Sequence, residues 1–443
     1  MPESSKPLGL VSATTLVAAS MIGVGVYTTS GFTFAALETP GRVIAAWVVG
    51  GLIAICGAIG YGSLASRFKL SGGEYLFLSR SLHPVAGLVA GWISLLAGFT
   101  GAIAIAALGL ESYLWPLISD AEKPTLPGVI AIAAVLIAAT LHTIGVKGAA
   151  RAQDLVVILK ILMILGFIVV SLSTLKTWHV FNHPVDDLKA PPLSLLNFTK
   201  QLVYISFSYA GFNAAVYVSG EVRAPERNVP RALILGTILV TLIYISLNTI
   251  FVFAPSPAAI TSGASINQIA ATAAESIGGT NLDFFVRLVI VVSLFTSISA
   301  LVMTGPRVYA KMAEDGFLPR WFCFHDRPPV KAIWFQAVIA VVAISISELK
   351  SLLGYLGLTL SICSALSVSM LFLLRWRGEK INMPMWGIPS AIYIVATVVL
   401  AILYGCSEHD QAIAAAATIA VGFVLYPFVS KRLQDQANTN LDA

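Results

Sequence analysis

Apolar runs recur along almost the whole chain of 443 residues, and short polar segments separate them. A helix needs about 20 apolar residues to cross a hydrocarbon core of roughly 30 Å, and most of these runs are of that order. We therefore predict an all-α polytopic membrane protein with twelve transmembrane helices. The predicted spans cover residues 8–36, 43–66, 85–112, 128–146, 152–173, 196–220, 231–254, 283–304, 332–347, 351–374, 388–406 and 411–430.

The first of these runs contains two glycines, Gly23 and Gly25, separated by a single residue. Each glycine costs about 1 kcal/mol against alanine inside a helix, so the pair predicts a local break in the span. Backbone groups freed at membrane depth are tolerated only where they line a cavity or meet a ligand. A broken first span therefore indicates a binding site.

The sixth predicted span carries a similar interruption, because Gly211 lies in the middle of its apolar run. Discontinuous helices at matching positions of two halves are typical of secondary transporters built from inverted repeats. Residues 1–443 would then form one transmembrane transporter domain, with repeats at about 8–173 and 196–374 and two extra helices at about 388–430. The simpler alternative is that these glycines only allow close helix packing.

Composition supports a membrane protein, because 57% of the residues are hydrophobic and only 11% are charged, whereas soluble domains carry roughly 25% charged residues. Most Lys and Arg residues fall in alternate loops on the side of the N-terminus. Positive charge is retained on the cytoplasmic side, so we predict a multi-pass protein of the cell (plasma or inner) membrane with both termini in the cytoplasm. Inside-facing loops explain the net charge of +5, and no nucleic-acid partner is expected.

Six short segments, taken together and in order, resemble the amino acid–polyamine–organocation superfamily, and within it the branch of L-type and related neutral amino acid permeases. The segments are residues 22–27 (IGVGVY), 71–75 (SGGEY), 145–154 (GVKGAARAQD) with Lys160, 207–213 (FSYAGFN), 225–231 (PERNVPR) and 307–316 (RVYAKMAEDG). The resemblance covers nearly the whole chain. It is consistent with a five-plus-five inverted repeat with discontinuous helices 1 and 6, and it implies transport of neutral amino acids.

The backbone N–H groups of Gly23, Val24 and Gly25 are predicted to lie at the start of a half-helix. Free donors and the positive end of the helix dipole favour an anion there, and the carboxylate of an amino acid fits. The family usually has Ser where this chain has Val24, and an acidic residue often stands where this chain has Ser63. Because Val24 has no hydroxyl, binding of the substrate carboxylate must rely on backbone N–H groups.

Carbonyl oxygens exposed at the two breaks suit the ammonium group of the same substrate. The predicted carbonyls belong to Met21, Ile22, Phe207 and Ala210, and the resemblance implies that the two breaks bind the two ends of an amino acid. Main-chain atoms would hold the zwitterion and leave the side chains free to select among substrates.

Side chains near the second break are predicted to select the substrate. Asn213 is the candidate for a polar contact with the substrate side chain, and Phe207 is the candidate for an aromatic gate. An interhelical hydrogen bond and plain packing are the respective alternatives. The sequence shows no Asp, Glu or Arg deep within the predicted spans, which favours a neutral substrate.

Lys160 is the one basic residue predicted deep within a span, where a charge costs at least about 2.5–3.5 kcal/mol. By resemblance, it takes the place of a sodium ion of related carriers, touching carbonyls of the first break and a hydroxyl of the eighth span, here Ser297. Sodium coupling is therefore not expected. Two roles remain for the lysine: it loads and releases a proton, or it acts as a fixed internal cation that favours exchange. A snorkelling lysine is the alternative.

Glu74 is predicted at the cytoplasmic face, either in a salt bridge that latches the outward-open state or as solvated loop charge. Two further functions compete with a transporter: an enzyme, for which no metal-binding or paired-aspartate motif appears, and a non-transporting nutrient receptor or a channel on the same fold. A proton-coupled permease for other amino acids or amines is a further alternative. No cofactor, no metal and no disulfide-linked subunit is expected, and the expected partners are an amino acid and membrane lipid.

Overall fold

The fold is described from a computed structural model, which covers residues 8–68, 72–119, 126–144, 149–182, 192–262, 266–323 and 330–441. Its regular elements are helices. They are α1 Leu10–Met21, α2 Val24–Leu37, α3 Pro40–Arg67, α4 Gly73–Ser81, α5 Pro84–Ile93, α6 Ala102–Ile118, α7 Val129–Ile144, α8 Ala149–Ser173, α9 His179–Asn182, α10 Leu195–Ser208, α11 Ala214–Tyr217, α12 Pro225–Phe253, α13 Pro257–Thr261, α14 Ile269–Glu314, α15 Val330–Ile346, α16 Leu349–Trp376, α17 Ile388–Gly405 and α18 His409–Leu441.

Within the described residues, seven helices are long and apolar enough to cross a membrane, or eight if the bent pair α1 and α2 forms one span. Three shorter apolar helices accompany them, at Val129–Ile144, Val157–Ser173 and Val330–Ile346. These findings confirm an all-helical polytopic membrane protein. The count of twelve spans and the inverted repeat remain predictions.

Two groups of helices can be distinguished by their contacts, and α16 packs against members of both. In the first group, α3 and α1 pack against α12, and α10 packs against α2 and α3. In the second, α4 packs against α5, and α6 packs against α7 and α14. The two broken spans, α1 with α2 and α10 with α11, both belong to the first group.

The third span contains a π-helical stretch, Ser94–Gly101, between α5 and α6. A π-helical turn widens the helix and frequently occurs at functional sites. Ser94 and Gly98 line the central cavity. The apolar pattern predicted a span here but carried no sign of this irregularity.

Two segments between the predicted spans contain helices. Residues 256–282 contain α13 and the first part of α14, which bends at Gly278 and Gly279. The buried alanines Ala270, Ala271 and Ala274 pack this segment into the molecule, although its Gly, Ser and Thr content lowers its hydropathy. The segment between the fifth and sixth predicted spans contains a 3₁₀ turn and α9, and residues 183–191 lie outside the described ranges.

Candidate functional site

The first span is interrupted between α1 and α2, as predicted, and its axis bends by 43°. Ile22 has φ −75° and ψ 94°, and Gly23 has φ −136° and ψ −157°, so both residues are extended. No side chain caps the start of α2. The first N–H groups of α2 are therefore left for another acceptor, because the first turn of a helix has no internal partners for them.

The second interruption separates α10 from α11 and runs from Tyr209 to Asn213. Gly211 has φ +98°, a left-handed conformation that favours glycine. A Cβ atom at this position would lie 2.7 Å from the backbone oxygen of Ser20. Gly211 therefore permits both the turn and the close approach of the two breaks.

Three contacts join the two breaks directly. A Cβ atom on Gly25 would lie 2.7 Å from the Cα of Ser208, so α2 packs on α10 through glycine. The Thr29 and Ser208 hydroxyls lie 3.1 Å apart. The Tyr244 hydroxyl of α12 donates to the backbone oxygens of Met21, at 2.6 Å, and Ser208, at 3.0 Å.

A cavity of about 1590 Å³ borders both breaks. It is larger than the roughly 300–1,000 Å³ of a typical ligand pocket, because it continues past the breaks toward one end of the molecule. Its wall there includes Leu8, Arg80 and Asp315. Among the predicted site residues, those that line it are Met21, Gly23, Val24, Gly25, Lys160, Phe207, Ala210, Asn213 and Ser297.

The opposite end of the site is closed by buried polar contacts. Trp47 Nε1 donates to the Ser30 hydroxyl at 2.8 Å, and Ser30 donates in turn to the side-chain oxygen of Asn248. The Tyr113 hydroxyl donates to the Tyr27 carbonyl at 2.6 Å. The structure is therefore open on one side of the breaks and closed on the other.

Three of the four predicted carbonyls already have partners in the structure. Met21 O accepts from Tyr244, Ile22 O accepts from Lys160 Nζ, and Phe207 O accepts from the Ala210 N–H at 2.9 Å. A carbonyl oxygen has two lone pairs, so each of these atoms retains capacity for one further donor.

Lys160 is 4% exposed, and its Nζ donates to the Ile22 carbonyl of the first break. The Ser297 hydroxyl, expected beside it, donates to the Ser293 carbonyl at 3.0 Å. Both Lys160 and Ser297 line the cavity. The structure thus brings the buried cation to the first break.

Asn213 lies at the end of the second break, directly before α11. Its Nδ2 donates to Glu74 Oε1 at 2.5 Å, which is the interhelical hydrogen bond considered as the alternative from sequence. Both residues also line the cavity, as does the half-buried ring of Phe207.

Glu74 is buried in the structure, which differs from the environment that the sequence suggested. It is 4% exposed and lines the cavity, and the Tyr61 and Tyr217 hydroxyls donate to it at 2.8 and 2.5 Å. The expectations of a solvated charge or a salt bridge are wrong, because α4 folds this residue inward against α3 and α11. The predicted lack of acidic residues concerned the spans alone, and Glu74, which lies between the second and third predicted spans, nevertheless lines the cavity.

Sequence reasoning missed Glu74 because its partners are remote along the chain. A single carboxylate placed among the apolar side chains of residues 75–78 was the available signal. Within the described part of the chain, no group of three or more His, Cys, Asp or Glu could hold a metal ion.

These features define a class: an all-helical polytopic membrane protein in which two interrupted spans face one cavity. The family model described as "Amino acid permease" matches residues 8–428 of the chain. The chain therefore belongs to the amino acid permease family, as the sequence motifs indicated.

Individual relatives are similar over most of their length. The chain is 26% identical over 391 residues to the large neutral amino acids transporter small subunit 2 of Homo sapiens, covering 86% of this chain and 71% of that protein. It is 24% identical over 396 residues to the Asc-type amino acid transporter 1 of Mus musculus, covering 86% and 72%. It is 30% identical over 389 residues to the serine/threonine exchanger SteT of Bacillus subtilis (strain 168), covering 85% of each.

Proposed function

We propose that this protein is a secondary transporter of neutral amino acids that works by alternating access, as an exchanger or a gradient-driven carrier. The observation that carries the proposal is the meeting of two interrupted spans on one cavity, because both offer main-chain polar groups at membrane depth. The N–H groups of Gly23, Val24 and Gly25 hold the carboxylate, and the carbonyls of Met21, Phe207 and Ala210 face the ammonium group. The predicted Ile22 carbonyl is fully buried and accepts from Lys160 instead.

The names of the relatives support a neutral substrate. Two of them are named for neutral or Asc-type amino acid transport and one as a serine/threonine exchanger. The carboxylate of Glu74 is consistent with this, because three donors already occupy it. A cationic side chain would have to displace these donors.

The open end of the cavity faces the cytoplasm in this proposal. Residue 8, α4 and the end of α14 lie at that end, and the sequence places the Lys-rich and Arg-rich connections on the same side. The closed end, with Trp47, Ser30 and Asn248, would face outward. The structure would then represent an inward-open state of a protein in the plasma or inner membrane.

Lys160 acts in this proposal as the internal cation of the first break. Its ammonium group donates to the Ile22 carbonyl oxygen, so a coupling cation such as sodium would have to displace it to bind that oxygen. Sodium-independent exchange is therefore expected, and Ser297 supplies a nearby hydroxyl on the cavity wall.

Purified protein in proteoliposomes tests the proposal. Vesicles preloaded with an unlabelled neutral amino acid should take up the labelled amino acid in a saturable manner, with and without sodium, and with a proton gradient as a separate arm. Non-saturable uptake would indicate a channel, and specific binding without uptake would indicate a receptor. Either result would contradict the proposed transport.

A further inference from the structure

Glu74 makes a buried link between two groups of helices. It begins α4, which packs on α5, whereas its three donors belong to α3, to the second break and to α11. Gly73, with φ +59°, allows this approach, because a Cβ atom there would lie 2.3 Å from the Tyr217 ring. The turn before α4 is thus built to place this carboxylate against the second break.

The hydrogen bond from Asn213 to Glu74 fixes the orientation of the Asn213 amide. An ionised carboxylate only accepts hydrogen bonds, so it selects the NH₂ side of the amide and rejects the carbonyl side. Asn213 also lines the cavity. With Nδ2 held by Glu74, the side-chain carbonyl of Asn213 remains as an acceptor for a ligand.

We propose that Glu74 is a positioning residue that sets substrate specificity: it fixes the Asn213 amide so that its carbonyl favours amino acids whose side chains donate a hydrogen bond. This inference rests on the proposed function and names its substrate class as small hydroxylated neutral amino acids. Glu74 acts through Asn213 and does not itself contact the substrate.

Threonine and valine have nearly the same shape and differ by a hydroxyl in place of a methyl group. When the transporter closes around its substrate, valine would leave the Asn213 carbonyl unpaired, whereas threonine would satisfy it. Sites built around such a hydrogen bond discriminate strongly against the analogue that lacks it. Serine and alanine provide a second pair that differs only by the hydroxyl.

Glu74→Gln is the informative substitution. A glutamine side chain offers both an acceptor and a donor, so it pairs with either orientation of the Asn213 amide. The fixed orientation is lost, although the size of the side chain is kept. Tyr61→Phe and Tyr217→Phe are matched controls, because each removes one donor to the same carboxylate and leaves the bond between Glu74 and Asn213.

The experiment measures kcat/KM for threonine and valine, and for serine and alanine, in proteoliposomes. For the wild type we expect a threonine preference of about tenfold, as one net hydrogen bond implies. In Glu74→Gln it should fall to about threefold or less, mainly through a raised KM for threonine. The two tyrosine variants should keep the preference, and Glu74→Asp should restore part of it.

A wild type that transports valine as well as threonine would overturn the inference and leave the proposed function standing. An unchanged preference in Glu74→Gln would also overturn it. If that variant fails to fold, Asn213→Leu tests the acceptor through which Glu74 acts: it should abolish the preference, and a retained preference contradicts the inference. A wild type that moves neither threonine nor valine but moves another neutral amino acid overturns the inference alone, and one that moves no neutral amino acid removes the proposed function with it.

Discussion

The two interruptions look alike in sequence, since each is a glycine in an apolar run, but the structure uses their glycines differently. At the first break, Gly23 is extended and a Cβ atom there would meet nothing within 4 Å. At the second, Gly211 has φ +98° and its Cβ would meet the Ser20 backbone. The first glycine leaves space beside the cavity, and the second is required by the fold.

The breaks also differ in the charge placed beside them. The buried ammonium group of Lys160 donates to the Ile22 carbonyl of the first break. The buried carboxylate of Glu74 accepts from the Asn213 amide at the end of the second break. Each break therefore has an ionisable side chain that satisfies its polar atoms. The lesson is that broken spans are held by specific partners, and those partners come from other helices.

The largest difference between the breaks should appear on substitution of their glycines by alanine. Gly211→Ala should destabilise the protein by about 3 kcal/mol, because it combines a left-handed backbone with a backbone clash. Gly23→Ala should leave stability unchanged or raise it by about 0.5 kcal/mol. Thermal unfolding of the purified variants in detergent measures both.

The two glycine-to-alanine variants also separate an effect on folding from an effect on transport. Gly23→Ala should fold normally and still raise the KM for substrate, since its methyl group enters the space beside the N–H groups of α2. If Gly211→Ala is as stable as Gly23→Ala, the contrast between a structural glycine and a site glycine is wrong.

Removing the cation of the first break should have the next largest effect. Lys160→Ala leaves the Ile22 carbonyl without its donor, and we expect exchange to fall at least about tenfold, the equivalent of 1.4 kcal/mol. Initial rates with and without a proton gradient measure this. Lys160→Gln keeps a donor without the charge, so recovery in that variant would assign the effect to the hydrogen bond. Normal transport by Lys160→Ala with unchanged gradient dependence would contradict the proposed role.

A smaller effect should follow from removing the Tyr244 hydroxyl, which is hydrogen-bonded to the ends of α1 and α10 beside the two breaks. Tyr244→Phe removes the bonds to Met21 O and Ser208 O, at a cost of about 1–2 kcal/mol in unfolding free energy. Substrate affinity should weaken with it, because the two breaks lose their shared donor. Tyr404→Phe is a suitable control, because it also removes one buried tyrosine hydroxyl, and Tyr404 packs against Tyr204 of α10 rather than against either break. Equal losses in both variants would contradict a special role for Tyr244.

Sequence reasoning located the breaks because glycine acts locally on a helix. Gly23 and Gly211 lie within the interruptions themselves, whereas Gly25 lies inside α2, where it packs against Ser208. Many helix boundaries were also close, since apolar runs end where helices do, but α14 extends well beyond its predicted span at both ends and α18 beyond the C-terminal end of its span.

The partners of the breaks were harder to obtain. Glu74 and Asn213 are 139 positions apart, and only the packing of α4 against the broken spans brings them together. For the same reason, the position of Tyr244 between Met21 and Ser208 carried no sequence signal. Lys160 was found because an isolated charge in an apolar span is costly and therefore conspicuous.

The central claim, that main-chain atoms at the two breaks hold both charged ends of an amino acid, is tested most directly by the chemistry of the ligand. Inhibition of exchange should be measured for threonine, for its methyl ester, and for the analogues that lack the ammonium or the carboxylate group. Threonine should compete at least about a hundredfold more strongly than each analogue, because each analogue loses the charged hydrogen bonds at one end of the molecule. Comparable competition by an analogue lacking either charged end would contradict the account.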